Sequence, residues 1–219
     1  MSEAPTLPDF LLPERKARID AVVAQRTRTL TVVMEAFTDS QNTNAVFRTA
    51  ESFGVQEVHV VVGPQKRFDR NKKVSQNADK WLEVVRWKET APCLEALKAR
   101  GFRLYATHLG EGSVGLSDLS FAEPTALIFG NEHAGVSEEA RRLSDGSFAI
   151  PLRGFSQSFN VSVAAAICLA RAVDRREVER GRHGDLSPAE AEALRERFYA
   201  LSVNQRARVA LAARRAGKG

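Results

Sequence analysis

The sequence predicts an α/β fold, a mostly parallel sheet flanked by helices with a helical extension at each end, and three observations carry that prediction. Short runs rich in β-branched residues alternate with stretches of helical period between residues 29 and about 155. The runs are apolar along their length, as strands covered on both faces are. Flanking them, a basic helical segment precedes residue 29, and a well-signalled helix follows Ser187.

Taken in order, the candidate strands are Leu30–Phe37, Val58–Gly63, Leu82–Trp87, Phe102–Leu109, Thr125–Gly130 and Ser147–Leu152, each a short β-branched or aromatic run bounded by turn residues. Candidate helices cover residues 42–53, 90–100, 138–144 and 160–180, where apolar residues recur at helical spacing. Arg175–Asp185 reads as a polar connection. Ser187, Pro188 and Glu190 then supply a cap, a first-turn proline and a reciprocal acid. Leu194, Phe198 and Leu201 form the apolar stripe of that last helix, with Arg195 and Arg197 turned elsewhere. The domain boundaries that follow are an N-terminal helical extension over 1–28, a central domain over 29–180 and a basic C-terminal extension over 181–219. No internal repeat or low-complexity block interrupts them.

Composition narrows the function classes. With 219 residues, 43% hydrophobic and 27% charged, the chain has the make-up of a globular protein, and no apolar run is long enough to span a bilayer. The start lacks a basic region followed by an apolar one, so a cytoplasmic location without a signal peptide is expected. Cys93 and Cys168 lie far apart with no Cys-x-x-Cys spacing, which points to neither a metal site nor a disulfide framework. A net charge of +5 and a pI near 9.5 fit a polyanionic partner. Basic residues gather in three segments: Arg15, Lys16, Arg18, Arg26 and Arg28 near the start; Lys66, Arg67, Arg70, Lys72 and Lys73 in a loop; Arg206, Arg208, Arg214, Arg215 and Lys218 at the end. Any one such run reads as a solvated face. Three around one core favour nucleic acid.

Three polar segments carry candidate chemistry. The first, from Asp39 to Ala50, runs from a strand end into a helix bearing one arginine, Arg48; Asn42 there also suits a helix cap, and Arg48 a surface ion pair. The second, Ile128–Ser137, is a strand followed by a turn with glycines at both ends, and Ser137 starts the next helix. His133 lies in that turn and is read as structural. The third, IPLRGFSQSFNVSVAAAI over Ile150–Ile167, joins a short apolar segment through a polar loop to an alanine-rich helix. Ser158 or Asn160 can cap that helix, and Ser158, Asn160 and Ser162 are expected inside the protein or at an interface, because the helix is too apolar for a free surface.

In this order and spacing the three segments resemble the motifs of the SpoU (TrmH) family of RNA ribose 2′-O-methyltransferases, in the SPOUT superfamily. Asn42 and Arg48 match the first motif, Gly130, Glu132 and Gly135 the second, and Pro151, Ser158 and Asn160 the third. Asn44 stands where that family often has a small residue. Pro13, Arg15, the Ala78–Leu82 segment and the basic ends resemble the tRNA (guanosine-2′-O-)methyltransferase branch. The resemblance implies a C-terminal trefoil knot over about 125–180, an exception to the rule that chains avoid knots. It implies S-adenosylmethionine as cofactor, held by Thr107, Gly130, Ile150, Leu152 and Phe159 at a homodimer interface, with Arg48, Asn42, Glu132, Ser158 and Asn160 as catalytic residues. The absence of a Gly-x-Gly-x-x-Gly loop after a first strand accords with such a pocket rather than a Rossmann one.

The implied reaction methylates the ribose 2′-hydroxyl of the D-loop guanosine at tRNA position 18, with Arg15, Arg18, Lys66, Arg67, Arg70, Arg206 and Arg208 on the RNA phosphates. No metal and no membrane partner enter this reading. The family's arginine is proposed as general base, whereas arginine keeps its proton in proteins, so Arg48 is read as a cation that grips a phosphate and stabilises charge on the oxygen. Glu132 is expected to fix the turn and accept from Asn42 or a backbone amide. Methylation of ribosomal RNA and non-catalytic RNA binding are the alternatives. The first is disfavoured because ribosomal RNA relatives usually carry a separate N-terminal domain for which this chain has no room.

Overall fold

The computed structural model describes residues 6–62 and 78–203. The chain divides into two compact units, Thr27–His183 and, from both termini together, Met1–Arg26 with Gly184–Gly219. Numbered in chain order, its strands are β1 (Leu30–Glu35), β2 (Glu57–Val61), β3 (Glu83–Trp87), β4 (Arg103–Thr107), β5 (Val114–Gly115), β6 (Thr125–Phe129) and β7 (Gly146–Ala149). Its helices are α1 (Pro13–Ala24), α2 (Ser40–Ser52), α3 (Thr90–Ala99), α4 (Glu138–Leu143), α5 (Val161–Arg180) and α6 (Pro188–Ser202).

The larger unit is built on one seven-stranded sheet in the order β3-β2-β1-β6-β4-β7-β5, with every neighbouring pair parallel. All six residues of β1 and all five of β6 are buried, because both faces of the sheet are covered. On one face Val32, Met34, Leu127 and Phe129 pack with Val46, Phe47 and Ala50 of α2 and with Ala165, Cys168, Leu169 and Ala172 of α5. On the other, Val33, Leu104, Ala106 and Ile128 pack with Cys93, Leu94 and Leu97 of α3 and with Ala140 of α4. Each fully buried aliphatic side chain contributes about 1.5–3 kcal/mol, so this two-sided core dominates the unit's stability. Both cysteines are free and buried.

Each expected strand is present, and most stop short at the carboxyl end. Ala36 turns to a positive φ of 53° and ends β1 before Phe37. His108 and Leu109 leave β4, although the His108 amide still donates to Phe148 O at 2.9 Å, and Ile150 and Leu152 leave β7, where these strand ends open into a cleft. β5 is too short to show a period in sequence. Arg175–Arg180 is helix rather than connection, the last turns of α5. Arg176 there is fully buried, donating to Thr29 O at 3.3 Å, Thr27 Oγ1 at 3.1 Å and Thr29 Oγ1 at 2.7 Å. Its polarity is spent on a buried network, which a reading of composition takes for a loop.

In the smaller unit α1 and α6 pack through Ile19 and Val23 against Leu194, Phe198 and Tyr199. Ser187 and Glu190 form the expected capping box. Arg195 Nε donates to Asp20 Oδ1 at 2.7 Å, and Arg15 reaches Ser202 Oγ at 3.2 Å. Arg26, grouped by sequence with the basic surface residues, is buried 5.6 Å from the Phe198 ring centroid. Arg28, in the larger unit, forms a two-pronged pair with Glu83 at 2.7 and 2.6 Å. Both cations are structural. Among the described residues no helix is long and apolar enough to cross a membrane.

Candidate active site

A cleft of about 560 Å³ opens at the carboxyl ends of β4, β6 and β7, where parallel sheets gather ligands. Its walls include Thr107, Gly130, Ile150, Leu152 and Phe159, the five residues expected to hold cofactor. Phe129 and Phe148 add apolar surface. Thr107 donates its hydroxyl to Ile128 O at 3.0 Å, which ties the end of β4 to β6. At Gly130 the chain crosses its own turn: an added Cβ would lie 2.1 Å from the backbone of Gly135 and Val136, so glycine is required for this approach.

One hydrogen-bonded relay joins the three motif segments at the cleft. Asn160 Nδ2 donates to Asn42 Oδ1 at 3.0 Å, and Asn42 Nδ2 donates to Glu132 Oε1 at 3.1 Å. The Thr38 amide and hydroxyl donate to Glu132 Oε2 at 3.1 and 3.0 Å, and the Asp39 amide to Oε1 at 3.2 Å. Asn160 also caps α5, its Oδ1 accepting from the amides of Ser162 and Val163. A single amide side chain thereby links a helix start to the relay. Partial burial works to raise the Glu132 carboxyl, but donors from its own backbone, Asn42, Thr38 and Asp39 outweigh it and hold its pKa at about 2.

Local sequence explains these positions. Asp39, not Asn42, caps α2, accepting from the Gln41 amide at 2.7 Å; Asn42 is thereby left in the first helical turn, buried and aimed at Glu132. Asn131 builds the turn beneath the cleft. Its Oδ1 accepts from the His133 and Ala134 amides at 2.9 and 3.0 Å, while its Nδ2 donates to Ala36 O at 2.9 Å. Below it, buried Glu35 accepts from Ser137 N and Oγ at 2.9 and 2.7 Å and from Thr90 Oγ1 at 2.6 Å. Ser137 caps α4 through the Ala140 amide, as its sequence position suggests. Sequence reasoning passed over Asn131, Glu35, His108 and Arg141; for Asn131 the signal was available, since an asparagine directly after Gly130 suits an Asx turn.

Ser158 lies at the cleft, exposed, with no hydrogen-bond partner among the described residues. Arg48 is exposed on α2 outside the cleft lining, and it too has no partner among them. The loop from Arg153 to Asn160 is exposed, so of the two settings expected for it, inside the protein or at an interface, the first does not hold: Phe155 stands free of contact and Phe159 is 39% exposed. A strongly apolar helix need not enclose its own N-terminal loop, because α5 buries Ala165, Cys168, Leu169 and Ala172, one turn or more further on. Among the described residues no group of three or more acidic, histidine or cysteine side chains is placed to hold a metal ion.

The SpoU rRNA Methylase family model matches residues 29–170, the span that contains the sheet, the relay and the cleft. The chain belongs to the SpoU methylase family. It is 35% identical over 165 residues to the tRNA (guanosine(18)-2′-O)-methyltransferase of Escherichia coli, covering 75% of this chain and 72% of that one. To the Thermus thermophilus enzyme of the same name it is 38% identical over 162 residues, covering 74% and 83%. The solved TrmH/SpoU tRNA modifying enzyme of Aquifex aeolicus superposes with a TM-score of 0.79 at 30% identity, covering 88% of this chain and 98% of that one. A SpoU methyltransferase from Streptomyces viridochromogenes, solved in complex with AdoMet, gives a TM-score of 0.61 at 27% identity, covering 71% and 62%. As a SpoU member the chain thus presents its three motif segments on one sheet edge. Of the expected catalytic residues, Asn42, Glu132, Ser158 and Asn160 line the cleft, and Arg48 does not. Arg15 and Arg18 are exposed on α1, whereas Lys66, Arg67, Arg70, Arg206 and Arg208 lie outside the described residues.

Proposed function

We propose that this SpoU protein transfers a methyl group from S-adenosylmethionine to the ribose 2′-hydroxyl of the D-loop guanosine at tRNA position 18, in the cytoplasm. The observation that carries the reading is the relay Glu132–Asn42–Asn160, which draws all three motif segments to one cleft of a size suited to a small cofactor. The names of relatives at 35–38% identity supply the substrate. The cleft fits the cofactor chemically: the aromatic and aliphatic walls of Phe129, Phe148, Ile150 and Leu152 suit a purine.

When bound, S-adenosylmethionine supplies an electron-poor methyl group. The chain's own residues then hold and orient the acceptor. Thr107, Gly130, Ile150, Leu152 and Phe159 seat the cofactor. Asn42, fixed between Glu132 and Asn160, presents its amide at a set angle, so orientation is prepared before RNA arrives. Ser158 has a free hydroxyl for the nucleotide. Arg48 remains cationic, grips the phosphate beside the target and stabilises negative charge as it develops on the 2′-oxygen. Arg15, Arg18, Lys66, Arg67, Arg70, Arg206 and Arg208 hold the tRNA backbone at salt-sensitive contacts.

Two further features belong to this reading. Phe155, Phe159 and Val163 expose apolar surface in one short stretch beside the cleft, which a second copy of the chain covers in a homodimer. The segment over about 125–180 threads into the trefoil knot of its family, a reading supported by the position of β6 between β1 and β4 and the return of α5 to α2. The domain limits 1–28, 29–180 and 181–219 serve as RNA-binding, methyltransferase and RNA-binding segments. The test is transfer of labelled methyl to unmodified tRNA and to ribosomal RNA fragments, with the modified nucleotide mapped and Arg48→Ala alongside. Label at the D-loop guanosine, lost in the variant, is the expected result; label only in ribosomal RNA moves the substrate, and no label overturns the catalytic reading.

A further inference from the structure

We infer that Arg141 and His108 form a carboxylate-binding corner of the cleft and take the amino-acid end of the cofactor; this rests on the reading that the cleft holds S-adenosylmethionine. Arg141 projects from α4 and His108 follows directly on β4, and both line the cleft. Arg141 Nη1 stands 3.2 Å from His108 Nε2. Arginine only donates, so this bond uses the Nε2 lone pair and leaves the imidazole proton on Nδ1. The ring lies directly over Gly110, where an added Cβ would meet Nε2 at 2.2 Å.

No carboxylate answers this guanidinium. Arg141 has no ion pair among the described residues, and its Nε is buried without a hydrogen-bond partner. Its Nη2 has no partner among the described residues and is not enclosed as Nε is, so it is the donor left for an acceptor brought by a ligand. The cleft does contain an acid, Glu132, but its oxygens are committed to Thr38, Asp39 and Asn42. Charge in the cleft is therefore divided between an acid satisfied within the chain and a cation that is not. S-adenosylmethionine has one anionic group, the planar carboxylate of its amino-acid end, and the planar fork of arginine matches it with two parallel hydrogen bonds. Adenine and ribose carry no charge for Arg141 to meet.

The experiment titrates the full-length protein, wild type and Arg141→Met, with S-adenosylmethionine, decarboxylated S-adenosylmethionine and 5′-methylthioadenosine by calorimetry. Arg141→Met, which keeps the unbranched apolar stem and removes the guanidinium, is expected to weaken S-adenosylmethionine about tenfold or more while leaving the two ligands without a carboxylate within about twofold. Arg141→Lys should fall between, since it restores charge without the fork. An equal loss for all three ligands overturns the inference in favour of a structural role for Arg141. Unchanged cofactor affinity with a raised KM for tRNA overturns it in favour of an RNA phosphate contact. Wild-type protein that binds none of the three overturns the cofactor reading itself, and this corner with it.

Discussion

Glu132 and Arg48 belong to neighbouring motifs, yet the molecule treats them in opposite ways. Glu132 accepts from two backbone amides, a hydroxyl and the side-chain amides of Asn42 and Asn131, all within one chain. Arg48 projects from α2 with no partner among the described residues. The difference separates a group paired within the chain from one left to solvent. The relay around Glu132 is a folded-state structure that fixes the cleft. The guanidinium of Arg48, like the loop that carries Phe155 and Ser158, is exposed, and on the proposed function RNA and a second copy of the chain meet them.

The contrast is broken most severely at Arg48. Arg48→Ala should lower methyl transfer to tRNA by about 10²–10³ in kcat, as removal of a charge-stabilising donor does, while the melting temperature stays at the wild-type value. Single-turnover kinetics beside calorimetry check both halves. An Arg48→Lys variant with an unmoved pH–rate profile would support the cationic role over that of general base. Gly130→Ala tests the completed side: its Cβ has only backbone to displace, so it should cost about 2–4 kcal/mol in denaturant unfolding and abolish cofactor binding together.

Smaller effects sharpen the same comparison. Asn160→Ala removes a helix cap and the last link of the relay, an expected loss of about 1–2 kcal/mol with weakened cofactor binding. Wild-type cofactor affinity in that variant would reduce Asn160 to a cap. Glu132, held at about 2 against an ordinary 4.5, contributes stability that is present above pH 4.5 and lost as pH falls toward 2. Glu132→Gln should therefore flatten that acid limb of a stability–pH curve while leaving the alkaline limb in place. Smallest is Ala36→Gly, which relieves a left-handed backbone at φ 53° and should stabilise by up to about 1 kcal/mol, read as a rise in thermal midpoint.

Much of this site was legible in residue order. Glu132, Asn42, Ser158 and Asn160 each suit an ordinary cap or turn, and they and the five cofactor-wall residues are singled out only through the family resemblance that three ordered segments carry. The less visible residues act at long range. Glu35 reads as an ordinary strand residue, yet it joins Thr90 to Ser137 across the end of the sheet. His108 and Arg141 are 33 positions apart and meet only because β4 and α4 do. Arg176 looked like part of a loop, because a fully buried arginine cannot be told from an exposed one by its neighbours in sequence.

The sequence by itself determined the alternation of strand and helix, the caps at Ser137 and Ser187 and the membership of three motifs, since each of these depends on spacing within about one element. Tertiary structure alone decided the strand order, with β6 seated between β1 and β4, and the pairing of Asn42 with Glu132 and Asn160. It also decided that Glu132 is satisfied and Arg48 is not. Partners brought together over 90 residues or more are set by which packed surfaces bury the most apolar area, and no local pattern records that outcome.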